Sequence, residues 1–276
     1  MPISTDIVGR KGEPLTQVID SDWIAAYAAA VGAPTATAHP LFPVCFEWPI
    51  FLDSRHMPTD LTPNDLFKGV HATHDLVLHR PIRAGTQVTT TATIASVKSR
   101  RSGAYQLVKL DTVDAEGEPV ATTWFGMIYR DLGVAGGDRS LEDAGPILEP
   151  VPNKDRFTSV PIPITADAAA VYAAAARIWN PIHTDAAAAE AAGLPGVLLQ
   201  GTATLALAVS RVVAECFDGD MGRVTRVAAR FGEMVFMPST LDLRIGPTID
   251  GSVRFEVLES TGGRAIRDGL LTVRTV

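Results

Sequence analysis

The feature that most constrains this chain is a succession of element types that occurs twice. Residues 75–130 alternate apolar and polar side chains over long runs, as in Val88-Thr-Thr-Thr-Ala-Thr-Ile94 and Tyr105-Gln-Leu-Val-Lys-Leu110, with turn signals at Arg101-Ser-Gly103 and Ala115-Glu-Gly117. A period of two with such breaks reads as an antiparallel meander. Residues 224–276 read the same way, broken near Gly246-Pro247, Asp250-Gly251 and Gly262-Gly263. Helical material precedes each block, at Asp20–Val31 and Glu47–Arg55 in the first half and at Thr165–Ala176 and Thr202–Phe217 in the second. The strand-entry segments Arg80–Thr86 and Glu233–Ser239 lie 153 residues apart and match in shape, each with a Gly or Pro followed by a hydroxyl residue. One internal duplication accounts for the pattern, and 276 residues suit two units of about 100–150 residues each.

Between the halves, Asp131–Ile164 is rich in Gly, Pro and acidic residues and shows neither period, as a surface linker does. The expected organisation is a first half at 1–135, a linker at 136–160 and a second half at 161–276. In the second half, Leu205, Ala208, Val209, Val212, Val213 and Cys216 keep a helical i, i+3, i+4, i+7 rhythm, so one face of that helix is expected to pack on a sheet. Gly201 precedes it, where a missing side chain lets a ligand approach free amides at the positive end of the helix dipole, or simply permits a tight turn.

Hydrophobic residues make up 46% and charged residues 20%, a composition that folds. The net charge of −7 disfavours nucleic acid as a partner, while a small anion needs only a local cationic patch. Cys45 and Cys216 lack CxxC spacing and read as free buried thiols in a reducing compartment. The opening MPISTDIVGRKGEP has no signal-like apolar run, and the apolar stretch 196–217 is interrupted by Gln200, Arg211 and Glu215, so a cytoplasmic protein with no membrane partner is expected.

The chemistry concentrates in Tyr172-Ala-Ala-Ala-Ala-Arg-Ile-Trp-Asn-Pro-Ile-His-Thr-Asp185, followed by an alanine-rich helix ending near Gly193-Leu-Pro195 and then Val197-Leu-Leu-Gln-Gly-Thr-Ala-Thr204. Asn180-Pro181 stops the preceding helix, because proline offers no donor and pushes the residue before it out of the helical region. His183 is therefore presented on a short irregular link, and Thr184 or Asp185 is placed to cap the next helix. A lone histidine is more often packed than catalytic; here its neighbours matter.

Asn180-Pro-Ile-His183-x-Asp185, then a helix, Gly193, and a Gly-Thr pair opening a long apolar helix, resembles the signature of the MaoC-like (R)-specific enoyl-CoA hydratases and dehydratases of the tandem type. The resemblance covers the second half closely and the first half weakly. It implies an α+β double hot-dog fold, two antiparallel sheets each wrapped round a central helix and joined as a pseudo-dimer. It implies hydration of a 2-enoyl thioester or dehydration of a 3-hydroxyacyl thioester, with coenzyme A entering only as part of the substrate and no resident cofactor. The implied partners are an acyl-CoA or acyl-carrier thioester and a second copy or a related subunit. Carried over by residue, His183 matches the catalytic histidine, Asn180 the motif's turn and Gly201 the oxyanion glycine, with Tyr172, Ile178, Gln200 and Thr202 around the substrate.

Two positions depart from that pattern. Ile178 stands where the family has its catalytic aspartate, and Gln200 replaces the histidine of a His-Gly pair. Asp185, Tyr172 and Glu47 are candidates to supply the missing group, and each has a plainer reading: helix cap, core or rim aromatic, and favourable charge in a helix first turn. Two alternatives therefore stand beside the hydro-lyase: a degenerate acyl-thioester-binding or scaffold protein, and a hot-dog enzyme with different thioester chemistry. His71, His74 and His79 cluster without a familiar metal-ligand spacing and read as structural. Lys98, Arg100 and Arg101 at a hairpin read as a solvated turn or a phosphate contact. No GxxxxGK[ST] or strand-linked GxGxxG is present.

Overall fold

The structure, a computed structural model, describes residues 2–274 except 35–36, 56, 58–60, 147 and 151–155. In chain order its first elements are β1 (Ile3–Ser4), β2 (Leu15–Val18), α1 (Ser21–Ala30), α2 (Pro43–Ser54), α3 (Pro63–Phe67) and β3 (Gly69–Leu78). Next come β4 (Gln87–Arg100), β5 (Gly103–Asp114), β6 (Pro119–Arg130) and the short β7 (Val134–Ala135) and β8 (Arg139–Ser140). The remainder are β9 (Thr158–Ile164), α4 (Ala168–Ala176), α5 (Ala186–Ala191), α6 (Gly201–Cys216), β10 (Val224–Phe231), β11 (Ser239–Ile249), β12 (Ser252–Leu258) and β13 (Arg264–Val273). Two compact units result: Met1–Val18, Phe46–Arg80 and Thr86–Ile147 form the first, and Ile19–Cys45, Pro81–Gly85 and Leu148–Val276 the second.

The first unit is an antiparallel sheet in the order β2-β4-β5-β6-β3, with β8 on β4. Its alternation buries Ile94, Val97, Val108, Leu110 and Phe125 on one face, where they meet Ile50 and Phe51 of α2 in one core. The Phe51 and Phe125 rings lie 3.9 Å apart. The helix expected from Glu47 begins earlier, at Pro43, because proline at a first helical position forfeits a donor that had no partner anyway. Glu47 is thereby moved out of the first turn and into the core, 2% exposed.

The second unit repeats the plan, its antiparallel sheet running β10-β13-β12-β11-β9 with α6 as the central helix. The expected face of α6 is inside along most of its length: Leu205, Ala208, Val209, Val212 and Val213 are fully buried, whereas Cys216, also expected to be buried, is only half-buried where the helix ends. Residues 19–45 belong to this unit, and α1 packs along α4.

Thr158–Ile164, irregular on a sequence reading, is a strand. Pro161 and Pro163 argue against a central strand, but β9 ends its sheet's order, where proline sacrifices no ladder bond. Of the linker read at 136–160, residues 147 and 151–155 lie outside the described residues. The part at Leu148 packs on Ala228 and Leu270, and Arg230 Nη2 donates to its carbonyl at 2.6 Å. No described helix is long and apolar enough to cross a membrane.

Candidate active site

The link that carries His183 is built residue by residue. Helix α4 closes on Arg177, whose φ of 58° is left-handed, and the amide of Ile178 returns to Ala173 O at 3.1 Å. Ile178 then turns inward, 3% exposed, and Trp179 outward, 63% exposed. Asn180 takes the extended conformation required before proline, and its Oδ1 accepts from Ile182 N at 3.4 Å. Pro181–His183 form a single 3-10 turn, closed by Thr184 N to Pro181 O at 3.0 Å and followed by Asp185 N to the same carbonyl at 2.8 Å.

The half-buried His183 ring places Nδ1 2.8 Å from the carbonyl oxygen of Leu198. A carbonyl only accepts, so Nδ1 carries the proton, and in the neutral ring Nε2 keeps a free lone pair. Burial lowers the pKa of His183, opposed by the Leu198 bond, so the neutral, basic form is favoured. No hydrogen bond or ion pair joins His183 to a carboxylate among the described residues.

Leu198 lies three residues before Gly201, so the bond ties the imidazole to the segment that opens α6. The amide of Leu199 bonds Val235 O at 2.8 Å, and Leu198 bridges to Phe236, fixing that segment against residues 235–236. No side chain caps α6; its first helical bond is Thr204 N to Gln200 O at 3.0 Å. The amides ahead of Thr204 point out at the positive end of a sixteen-residue helix, a suitable environment for a developing oxyanion. A Cβ on Gly201 would come within 3.2 Å of the Phe231 ring, so glycine here lets that aromatic pack against the backbone.

The other expected residues divide. Gln200 is 3% exposed, its Nε2 donating to Ala169 O at 3.1 Å and its Oε1 buried without a partner. Thr202 is buried in the first turn of α6. Tyr172 is 1% exposed, 5.7 Å from the Tyr27 ring, and burial raises its phenol well above the usual range, so it is a core residue.

Asp185 is occupied as the cap of α5, accepting from Ala187 N at 2.8 Å and Ala188 N at 3.3 Å. Glu47 faces the first unit's sheet, accepting from Thr123 Oγ1 at 2.8 Å. It is not the favourable first-turn charge expected of it, because burial raises its pKa to about 8 and keeps it largely protonated at neutral pH.

The histidine trio is structural: His71 stacks on Phe125 at 3.7 Å, His74 meets the same ring edge-on, and His79 pairs with Thr122 Oγ1 at 3.0 Å. No group of metal-holding side chains occurs among the described residues. In the hairpin basic run, Arg100 is drawn to Asp138, 3.9 Å away. Missing from any sequence reading are the Leu198 carbonyl, since a main-chain acceptor leaves no mark in residue identity, and Phe231.

Two family models match the chain, a MaoC like domain over residues 148–263 and a FAS1-like dehydratase domain region over residues 7–123. The 3-hydroxyacyl-thioester dehydratase Y of Mycobacterium tuberculosis is 30% identical over 202 residues, covering 71% of this chain and 68% of that protein. A MaoC-like dehydratase of Phytophthora capsici superposes with a TM-score of 0.84 at 19% identity, over 98% of this chain and 99% of the other. A Mycobacterium tuberculosis protein with a double hot-dog fold superposes with a TM-score of 0.63 at 13% identity, over 96% of this chain and 95% of its own. The chain belongs to the MaoC-like dehydratase family and has its double hot-dog fold.

Proposed function

We propose that this protein interconverts a 3-hydroxyacyl thioester and the corresponding 2-enoyl thioester by loss or gain of water, with His183 as its proton-transfer group and the amino end of α6 as its oxyanion donor. The name of the Mycobacterium tuberculosis relative supports the substrate class. The observation that carries the reading is the 2.8 Å contact between His183 Nδ1 and Leu198 O, which leaves Nε2 basic on a ring tied to the segment that opens α6.

In dehydration, Nε2 removes the proton from the α carbon, and the electron pair moves toward the thioester carbonyl. Charge gathers on the carbonyl oxygen, where the Gly201 N–H donates. The bond from the β carbon to its hydroxyl then breaks, the imidazolium gives its proton to the departing oxygen, and water leaves. The imidazole ends as it began. One base serves both carbons only when proton and hydroxyl leave from the same face, so the elimination is syn. Asn180 and Pro181 shape the link that presents the ring; Gln200, Thr202 and Tyr172 support the wall behind α6. With Ile178 in place of a second proton-transfer group, turnover is expected to fall on the order of 10²–10⁴ below a two-group site.

The thioester is carried on coenzyme A or a carrier protein, in the cytoplasm, and the assembly is a pair of copies or a pair with a related subunit. The buried Ile178 favours a second reading, a protein that binds the thioester without turning it over. Loss of enoyl absorbance over a panel of 2-enoyl-CoA substrates separates the two. Turnover by the parent chain that His183→Ala abolishes supports the hydro-lyase. Turnover that appears only in Ile178→Asp sinks it in favour of the binding protein.

A further inference from the structure

We propose that Arg177, held by Trp23 and Asp20, is a positioning residue that fixes the link carrying His183; the inference rests on the proton-transfer role given to His183. Arg177 occupies a left-handed backbone position, φ 58°, at the carboxyl end of α4. Glycine or asparagine is the usual occupant of such a site, because a Cβ disfavours it. A long side chain standing at a position the backbone disfavours points to work done by the side chain.

That work is visible. The Arg177 guanidinium lies 4.0 Å above the Trp23 ring, and its Nη2 donates to Asp20 Oδ2 at 3.3 Å. Asp20 Oδ1 meanwhile accepts from Trp23 N at 2.6 Å as the cap of α1. Trp23 Nε1 donates to Ala175 O at 3.0 Å, satisfying one of the last carbonyls of α4. Trp23 therefore grips the end of α4 twice, once through its N–H and once through its π face, while Asp20 closes the ring of contacts.

The clamp sits where direction matters. Arg177 is the residue at which the chain leaves α4, Ile178 is buried immediately after it, and His183 follows six residues later on a link with a single 3-10 turn. At the far end the ring is held by one bond, to Leu198 O. A reorientation at residue 177 is transmitted along this short link to the imidazole, whereas α4 itself stays packed through Ala169, Tyr172, Ala173 and Ala176.

The test compares the full chain with Arg177→Gly, Arg177→Lys and Trp23→Phe. Arg177→Gly keeps the left-handed turn and removes the clamp. Its expected signature is a kcat for enoyl-CoA hydration lower by roughly 10²-fold, the cost of about an ångström of misplacement, with KM nearly unchanged and the fold retained. The imidazole 15N signals of His183, assigned by their loss in His183→Ala, are expected to shift from a single Nδ1-protonated form to a mixture of tautomers, with the titration midpoint rising. Arg177→Lys keeps a cation over Trp23 and is expected to recover part of both readouts. Trp23→Phe keeps the ring and loses the donor, and is expected to move them the same way by less.

If Arg177→Gly leaves both kcat and the His183 nitrogen signals as in the parent chain, the proposal is overturned. If the parent chain turns over no enoyl thioester, the hydro-lyase reading fails instead, and the nitrogen signals alone still decide the clamp.

Discussion

Replacing Glu47 by glutamine is expected to stabilise the protein, and to do so more as the pH rises. Glu47 is 2% exposed on α2; one oxygen accepts from Thr123 Oγ1 at 2.8 Å, and the other, Oε2, is buried without a partner. Burial raises its pKa from 4.5 to about 8, the Thr123 bond opposing and the nearby Asp111 charge adding to the rise. In the unfolded chain the same group ionises near 4.5, so between the two values the folded state holds a proton that the unfolded state has released. The favourable contribution is thus complete below pH 4.5 and is lost as the pH climbs to 8. Each pH unit in that window costs about 1.4 kcal/mol, roughly 5 kcal/mol in all and roughly 3 kcal/mol by pH 7. Glutamine keeps the shape and the acceptor for Thr123 and cannot ionise, so the window vanishes with it. Urea unfolding of parent and Glu47→Gln at pH 5, 6, 7 and 8 reads the effect as a difference in stability that grows by about 3 kcal/mol from the lowest to the highest pH. Two stability curves that stay parallel across that range would refute a neutral, buried Glu47.

Three further outcomes follow from the packing. His39 and His74 are buried neutral, their pKa values lowered by burial to about 3 and about 4; each therefore withdraws stability as the pH falls below 6.5, by about 1.4 kcal/mol per unit, and His74→Asn is expected to flatten the acid limb of a melting-temperature profile measured from pH 4 to 7. Gly201→Ala pushes a methyl to within 3.2 Å of Phe231, and enoyl-CoA turnover is expected to fall on the order of ten- to a hundredfold as the oxyanion donor is displaced; retained turnover would exclude that amide from the site. Glu256 is 1% exposed beside Arg244 at 3.8 Å and Arg264 at 3.6 Å, and Glu256→Ala is expected to cost roughly 1–3 kcal/mol in urea unfolding, with turnover intact.

What could be read before any coordinates was whatever depends on local periodicity and on residues with special backbone demands. The alternation of residues 88–94 and the helical rhythm of residues 205–216 survive as β4 and α6 because one face of each must be buried whatever the partner. Asn180-Pro181 announced the break that presents His183, since proline constrains its neighbour wherever it stands. The misses share the opposite cause. Pro161 and Pro163 hid β9 because their harmlessness depends on the strand lying last in its sheet's order, a property of topology. Glu47 reads as a favourable first-turn charge because nothing local indicates that α2 starts four residues earlier and turns the carboxyl into the core.

The same division runs through the site itself. That an imidazole stands on the break after α4 was legible at position 183; which of its nitrogens bears a proton was not, because that depends on a carbonyl fifteen residues away, brought there by the pairing of Leu199 with Val235. Ile178 illustrates the point from the other side. An aliphatic side chain in that position is compatible with turnover only if the remaining imidazole is held in one tautomer and one orientation, since a single group that must both take and return a proton on one face has no second residue to correct its aim. The Leu198 carbonyl sets the tautomer, and the contacts of Arg177 with Trp23 and Asp20 bear on the orientation. The absence of an acid at residue 178 therefore raises the demand on geometry elsewhere, and it is at those tertiary contacts that substitutions are expected to separate an enzyme from a binding protein.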